Sequence, residues 1–125
     1  MSAIPRPMVE KVLSRDGHAC VLRLEGCLGT ASVADHRVNR GHGGSKVLNN
    51  PANLIAACGL CNGAKEDATD EVRAELVRRG LRVKPDRTHQ ASLLRATLTP
   101  VEYPDGSEWW LTRDGRRVDL GEVEF

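Results

Sequence analysis

The chain is 125 residues long and carries 18 Lys or Arg against 17 Asp or Glu, a formal charge of +1. This length suits one compact domain of the usual ~100–150 residues, and the near-neutral balance excludes attachment to nucleic acid by bulk charge alone. No apolar run approaches the ~20 residues needed to cross a bilayer. The opening Met1-Ser2-Ala3-Ile4-Pro5-Arg6-Pro7 has no secretory apolar stretch, so a reducing cytoplasm is the expected compartment.

In chain order, Pro7 suits the start of a helix, where its missing N–H is an orphan anyway. Met8, Val9, Val12 and Leu13 share one face of that helix, and Gly17 ends it. The stretch from Cys20 to Cys27 reads as a knuckle. Val33 and Val38 make Ala31 to Val38 β-leaning, with a short strand ending near His36. Gly41-His42-Gly43-Gly44-Ser45 is a loop and Asn49-Asn50-Pro51 a turn. Asn53 to Ala57 forms a second strand leading to Cys58, and from Cys61 the pattern turns helical. Thr69 is a helix N-cap, followed by Asp70 and Glu71 in the first turn. That helix is expected to bury Val72, Leu76 and Val77 and to end at Gly80. A basic connector follows, and after Thr99 the turn signals Pro104-Asp105-Gly106-Ser107 and Asp114-Gly115 separate the strands of a small meander. The expected organisation is a core over residues 1–68, a helix and basic connector over 69–98, and a β appendage over 99–125.

Charge is segregated. Residues 1–65 carry eight basic against four acidic residues, 71–98 carry seven against three, and 99–125 carry three against seven. A backbone-contacting surface would use the two basic stretches and turn the tail away; solvated charge that merely clusters is the competing reading.

All four aromatics, Tyr103, Trp109, Trp110 and Phe125, fall in the last 23 residues. The rest must build its core from aliphatic side chains and is short of large buried rings. A metal staple would make up the deficit, and all four cysteines lie in this part. Cys58-Gly59-Leu60-Cys61 is a CxxC knuckle, while Cys20 and Cys27 form a looser pair with six residues between them. Two such pairs about thirty residues apart suit tetrahedral thiolate coordination of Zn²⁺. Disulfides compete poorly in a reducing compartment, and a redox CxxC would leave Cys20 and Cys27 without a role. Four thiolates leave no open position, so this zinc is structural.

Between and beside the cysteine pairs stand Asp35-His36, Asn53, Asn62 and Lys65. Singly, each is more ordinary as a structural or turn residue. Together, a carboxylate, an imidazole and an amide brought near one another suffice for phosphodiester hydrolysis. Asp35 and Asn62 offer hard oxygen ligands that suit Mg²⁺ or Mn²⁺. His36 has the right basicity to take a proton from water near neutral pH. Adjacent strand residues face opposite ways, so Asp35 and His36 serve one site only where the strand bends or ends.

This order, a first cysteine pair, Asp35-His36, Asn53, then Cys58-x-x-Cys61-Asn62-x-x-Lys65, resembles the HNH or ββα-metal endonucleases over roughly residues 15–67. Arg15-Asp16-Gly17-His18-Ala19-Cys20, the glycine-rich loop and Asn50-Pro51-Ala52-Asn53-Leu54 extend the likeness, which is greatest to small stand-alone phage and actinobacterial members. The resemblance implies an α+β fold, a zinc-stapled, treble-clef-like ββα-metal core with flanking helices and a C-terminal β meander. It implies His36 as general base, Asp35 as metal-binding carboxylate, and Asn53 as the residue that holds the loop and orients the histidine. Asn62 stands where the final histidine would, as in the H-N-N subclass, and is implied as a metal ligand. Lys65 is implied as a phosphate contact. DNA is the implied partner, with a phage terminase as a second in genome packaging; homing and restriction are other roles the resemblance allows. The long Cys20–Cys27 spacing departs from the pattern and bears on knuckle geometry more than on activity.

Arg37, Arg40 and Lys46 are candidate phosphate contacts, with solvated charge as the alternative. His42 could touch DNA or substitute as a ligand, whereas His18 and His89 read as structural and surface residues. Of Trp109 and Trp110, one is expected in the small sheet's core and the other at a partner surface. Competing with the endonuclease are a zinc-stapled module that binds DNA without cutting it and a zinc-stapled protein adaptor.

Overall fold

The computed structural model describes residues 3–39 and 46–122. Arg40, His42 and the glycine loop therefore lie outside the described residues. The fold is α+β, with four helices and two small antiparallel sheets among the described residues.

Helix α1 (Arg6–Arg15) opens with Pro7 in its first turn and reaches Asp16, after which Gly17 takes a φ of +66°. Strand β1 (Val33–His36) ends at His36, as the sequence predicts, and pairs antiparallel with β2 (Leu54–Ala57). Register places Asp35 opposite Ile55 and His36 opposite Leu54. All four residues of β2 are buried, so this hairpin is the centre of the molecule. Asn50 caps the 3₁₀ turn Pro51–Asn53 by accepting from the Ala52 N–H. Helix α2 (Gly59–Glu66) starts directly at the second knuckle and carries Cys61, Asn62 and Lys65.

Helix α3 (Asp70–Arg78) has the expected cap: Thr69 Oγ1 accepts from the Val72 N–H at 3.3 Å. It packs through Leu76 and, partly, Val72, four residues apart on one face. Val77, expected in the core, is 55% exposed, because a neighbour of Leu76 is rotated about 100° from the buried stripe. Gly80 ends the helix with a φ of +73°, and a Cβ there would meet the Pro100 carbonyl oxygen at 1.9 Å. Part of the expected basic connector is instead helix α4 (His89–Thr97), capped by Thr88. Only Ser92, Leu93 and Ala96 of α4 are buried, too sparse an apolar stripe to announce a helix.

The C-terminal meander is as expected: β3 (Val101–Glu102), β4 (Glu108–Leu111) and β5 (Arg117–Asp119) pair in that order. Val101, Tyr103 and Leu111 join Ile55, Ala56 and Leu76 in the main core, so this segment packs into the same interior. Trp109 and Trp110 are both half-buried, and Trp109 packs against the core and under the Arg117 guanidinium at 3.9 Å. A smaller cluster of Val38, Leu48, Ala52, Val83, Leu93 and Ala96 fills the space beneath α4.

Between these parts lies Arg37, and here the fold corrects the sequence. Expected to contact phosphate, Arg37 is 1% exposed and donates to four carbonyls: Gly80 (2.7 Å), Ala52 (2.8 Å), Ala96 (2.8 Å) and Thr99 (2.6 Å). Its planar fork joins β1 to the 3₁₀ turn, to the end of α3 and to the end of α4, a task no other side chain has the donors for. Burial, with Arg15 nearby, pushes its pKa down to about 9, which still leaves it charged at neutral pH. Arg37→Met would take a donor from each of four carbonyls and should destabilise by roughly 3 kcal/mol or more. Arg37→Lys should rescue little, since three donors on a flexible stem do not reproduce the fork. Urea melts of metal-loaded protein test this; a native midpoint for Arg37→Met would refute the clamp.

Candidate metal centre and adjoining cleft

Two chain segments bring the four cysteines together. The second knuckle is local: Cys58 sits at the N-cap of α2, and its Sγ accepts from the Cys61 N–H at 3.3 Å. The first is wider, and the chain solves the six-residue gap with a folded loop. Cys20 N–H donates to the Gly29 carbonyl at 2.9 Å, Cys27 N–H to Leu24 at 3.0 Å, and Gly29 N–H to Cys27 Sγ at 3.3 Å. Arg23, at a φ of +49°, and Gly26, at +83°, turn the loop. Arg79 braces it from α3 by donating to the Leu22 and Val21 carbonyls, both at 2.8 Å.

The four Sγ atoms lie within 4.8 Å of one another, Cys27 and Cys58 at 4.0 Å. No disulfide links them. Tetrahedral thiolates at about 2.3 Å from zinc would stand roughly 3.8 Å apart, so the cluster needs only a small contraction to close on a metal ion such as zinc. N–H groups aimed at Cys27 and Cys58 are the support such ligands need. Burial works against the Cys58 thiolate, but the N–H groups of Leu28 and Cys61 and the neighbouring thiols bring it down to about 6. Burial drives the Cys20 and Cys61 thiols up, so metal binding must displace protons from them.

Beside this centre, a cleft of about 1080 Å³ is lined by Asp35 and His36 at the end of β1, Asn62 and Glu66 on α2, and residues of α1, α3 and the 82–85 segment. The sequence-predicted trio of Asp35, His36 and Asn62 thus shares one cavity. His36 Nε2 lies 2.8 Å from Asn49 Oδ1. With that oxygen as acceptor, Nε2 carries the proton and Nδ1 the basic lone pair. Asn49 is itself 8% exposed; the sequence marked it only as a turn residue, and nothing local distinguishes it from Asn50.

Asn53 is fully buried. Its Oδ1 accepts from Val38 N–H at 2.8 Å, and its Nδ2 donates to the Val38 and Leu48 carbonyls at 3.3 and 3.1 Å. One amide therefore ties together the two ends of the chain excursion that begins after His36.

Lys65 is the second correction. Expected to reach phosphate, it is 7% exposed, and its Nζ donates to Asp35 Oδ2 (2.6 Å), the His36 carbonyl (2.8 Å) and the Leu81 carbonyl (3.0 Å). All three donors are spent, so none is left for a ligand. Burial pushes the Asp35 carboxyl up and the Lys65 ammonium pulls it back. Among the described residues, the four cysteines form the only convergent group of three or more His, Cys or carboxylate ligands; Asp35 and Asn62 line the cleft with His36 and Glu66.

Compared with known proteins, the chain matches no family model, no curated protein and no solved structure. Among the described residues, no helix is long and apolar enough to cross a membrane.

Protein purified without chelator should carry about one zinc-type ion per chain by elemental analysis. Cys58→Ser should lose it and melt well below the native protein, because metal binding is coupled to folding. Native protein free of metal, with Cys58→Ser melting alongside it, would refute the staple.

Proposed function

We propose that this chain is a metal-dependent DNA endonuclease of the HNH, ββα-metal class, with zinc in the four-cysteine centre as its structural staple. The observation that carries the reading is the shared cleft: His36, Asp35 and Asn62 line one cavity where an antiparallel hairpin gives way to a helix. The order of these residues in the sequence supports it independently. Genome packaging beside a phage terminase is the setting the resemblance suggests.

In this reading His36 accepts a proton from the attacking water at Nδ1. Asn49 Oδ1 holds the opposite nitrogen and stabilises the imidazolium that results. Asp35 and Asn62 supply oxygen donors for Mg²⁺ or Mn²⁺. When bound there, such an ion supplies charge stabilisation to the phosphate and the leaving oxygen. Lys65 fixes both members of the Asp35-His36 pair, one through its carboxylate and the other through its carbonyl. Asn53 acts through the backbone, by holding the chain on either side of the excursion.

One observation favours a second reading, a zinc-stapled module that binds DNA without cutting it: the Asp35 carboxylate is already engaged by the buried Lys65 ammonium. A supercoiled-plasmid assay with Mg²⁺ or Mn²⁺ separates the two. Nicked or linear product is expected from the native protein, with His36→Ala slower by about 10²–10⁴-fold and Asn49→Ala by about 10-fold or more. DNA binding by the native protein with no product in either metal would establish the second reading, and full activity of His36→Ala would remove His36 as the base.

A further inference from the structure

With Arg37 and Lys65 committed to the interior, phosphate recognition must fall to other cations. Most basic side chains are already occupied. Arg15 pairs with Asp16, Arg78 with Glu75 and Glu102, Arg95 with Asp86 and Arg116 with Asp114. Arg79 braces the first knuckle, and Arg117 lies over the rings of Tyr103 and Trp109.

Three cations differ. Arg73 on α3, and Arg82 and Lys84 just beyond it, line the cleft that holds His36, and their side chains make no hydrogen bond or ion pair with any described residue. Lys11, Lys46, Arg87 and Arg113 also lack such partners, but none of them lines the cleft. The placement of Arg82 and Lys84 is built rather than accidental. Val83 between them is 5% exposed, belongs to the smaller core cluster, and its N–H donates to the Arg37 carbonyl at 2.9 Å. Val83 is held inward while its two neighbours are half-buried and exposed, and both line the cleft. The cleft's own carboxylates do not neutralise them: Asp35 is satisfied by Lys65, which leaves only Glu66.

We propose that Arg73, Arg82 and Lys84 form a phosphate-binding rail that lays one strand of a DNA backbone across the cleft, with its phosphodiester against His36. This rests on the reading of the cleft as a phosphodiester site. None of the three belongs to the motif that suggested the nuclease, and the rail accounts for binding by a chain whose net charge is only +1. Contacts of this kind position the backbone without reading sequence.

The test is fluorescence anisotropy with a short labelled duplex DNA of arbitrary sequence, using zinc-loaded protein, no added Mg²⁺ and a series of salt concentrations. The variants are Arg73→Gln/Arg82→Gln/Lys84→Gln and a charge-matched control, Lys11→Gln/Arg113→Gln/Arg116→Gln, placed where α1 meets the β4–β5 turn. All six positions are exposed or half-exposed, and unchanged melting verifies folding. The rail variant should bind about 10-fold or more weakly, with the slope of log K against log salt reduced by about 2–3. The control should bind as the native protein does. Equal weakening by rail and control variants, or no binding by the native protein, would overturn the rail. Because no cleavage is measured, a rail confirmed alongside a failed plasmid assay would retain DNA binding and discard the nuclease.

Discussion

Four backbone carbonyls converge on one guanidinium, and the positions of the site residues follow from that convergence. Arg37 donates to carbonyls at the end of α3, at Thr99 and in the 3₁₀ turn before β2, and adds a second donor to the Ala96 carbonyl at the end of α4, which also accepts from the Thr99 N–H. Because Arg37 follows His36 directly, the clamp also fixes where β1 ends. Lys65 repeats the device one layer away, with a carboxylate and two carbonyls as acceptors. The Asp35-His36 pair is therefore bracketed by two buried cations that set its backbone and one of its carboxylate oxygens. Buried charges of this kind are expensive unless well hydrogen-bonded; Lys65 uses all three of its donors and Arg37 four of its five.

The same economy of polar contacts compensates for the shortage of aromatic residues. Arg15 and Asp16 form a buried bidentate pair at the end of α1. Asp16 also accepts from the Ala56 N–H of β2 and from the Tyr103 hydroxyl, while Arg15 donates to the Pro51 and Leu54 carbonyls. One ion pair thus ties the first helix, the central strand and the C-terminal segment together. Tyr103 is the one fully buried aromatic among the described residues, and burial followed by the Asp16 carboxylate drives its hydroxyl well above its ordinary range. It stays protonated and donates. The four-cysteine cluster closes the other side of the same core.

What the sequence made legible was whatever depends on local chemistry. Thr69 as a cap, Gly17 and Gly80 as stops, the two C-terminal turns, the strand end at His36 and the cysteine pairing by spacing all rest on contacts within a few residues or on side chains with few alternative roles. What stayed hidden depends on partners far away in the chain. Arg37 meets carbonyls 15, 43, 59 and 62 residues distant, and Lys65 an aspartate 30 residues back. Written as letters, both are ordinary basic residues beside a motif, and phosphate contact is the natural guess. Asn49 was invisible for the same reason, its role being set by an imidazole 13 residues earlier. Helix α4 escaped because its stability comes from a cap and from packing of Leu93 and Ala96 rather than from a continuous apolar stripe.

The two corrections lead to one conclusion about how this chain distributes its charge. A cation can stabilise a fold or meet a ligand, and one with every donor satisfied internally has no capacity for the second role. Arg37 beside the motif and Lys65 within it are spent on the interior, so proximity in sequence to a motif is a poor guide to ligand contact here. Cations left uncommitted at the cleft come from α3 and the segment after it, outside the motif, where Val83 anchors the chain and the residues on either side line the cleft. On the proposed reading, the region that positions a reacting group and the region that holds its substrate are then separate in sequence. That separation lets the surface of 71–98 vary its charge without disturbing the hydrogen bonds that fix the site.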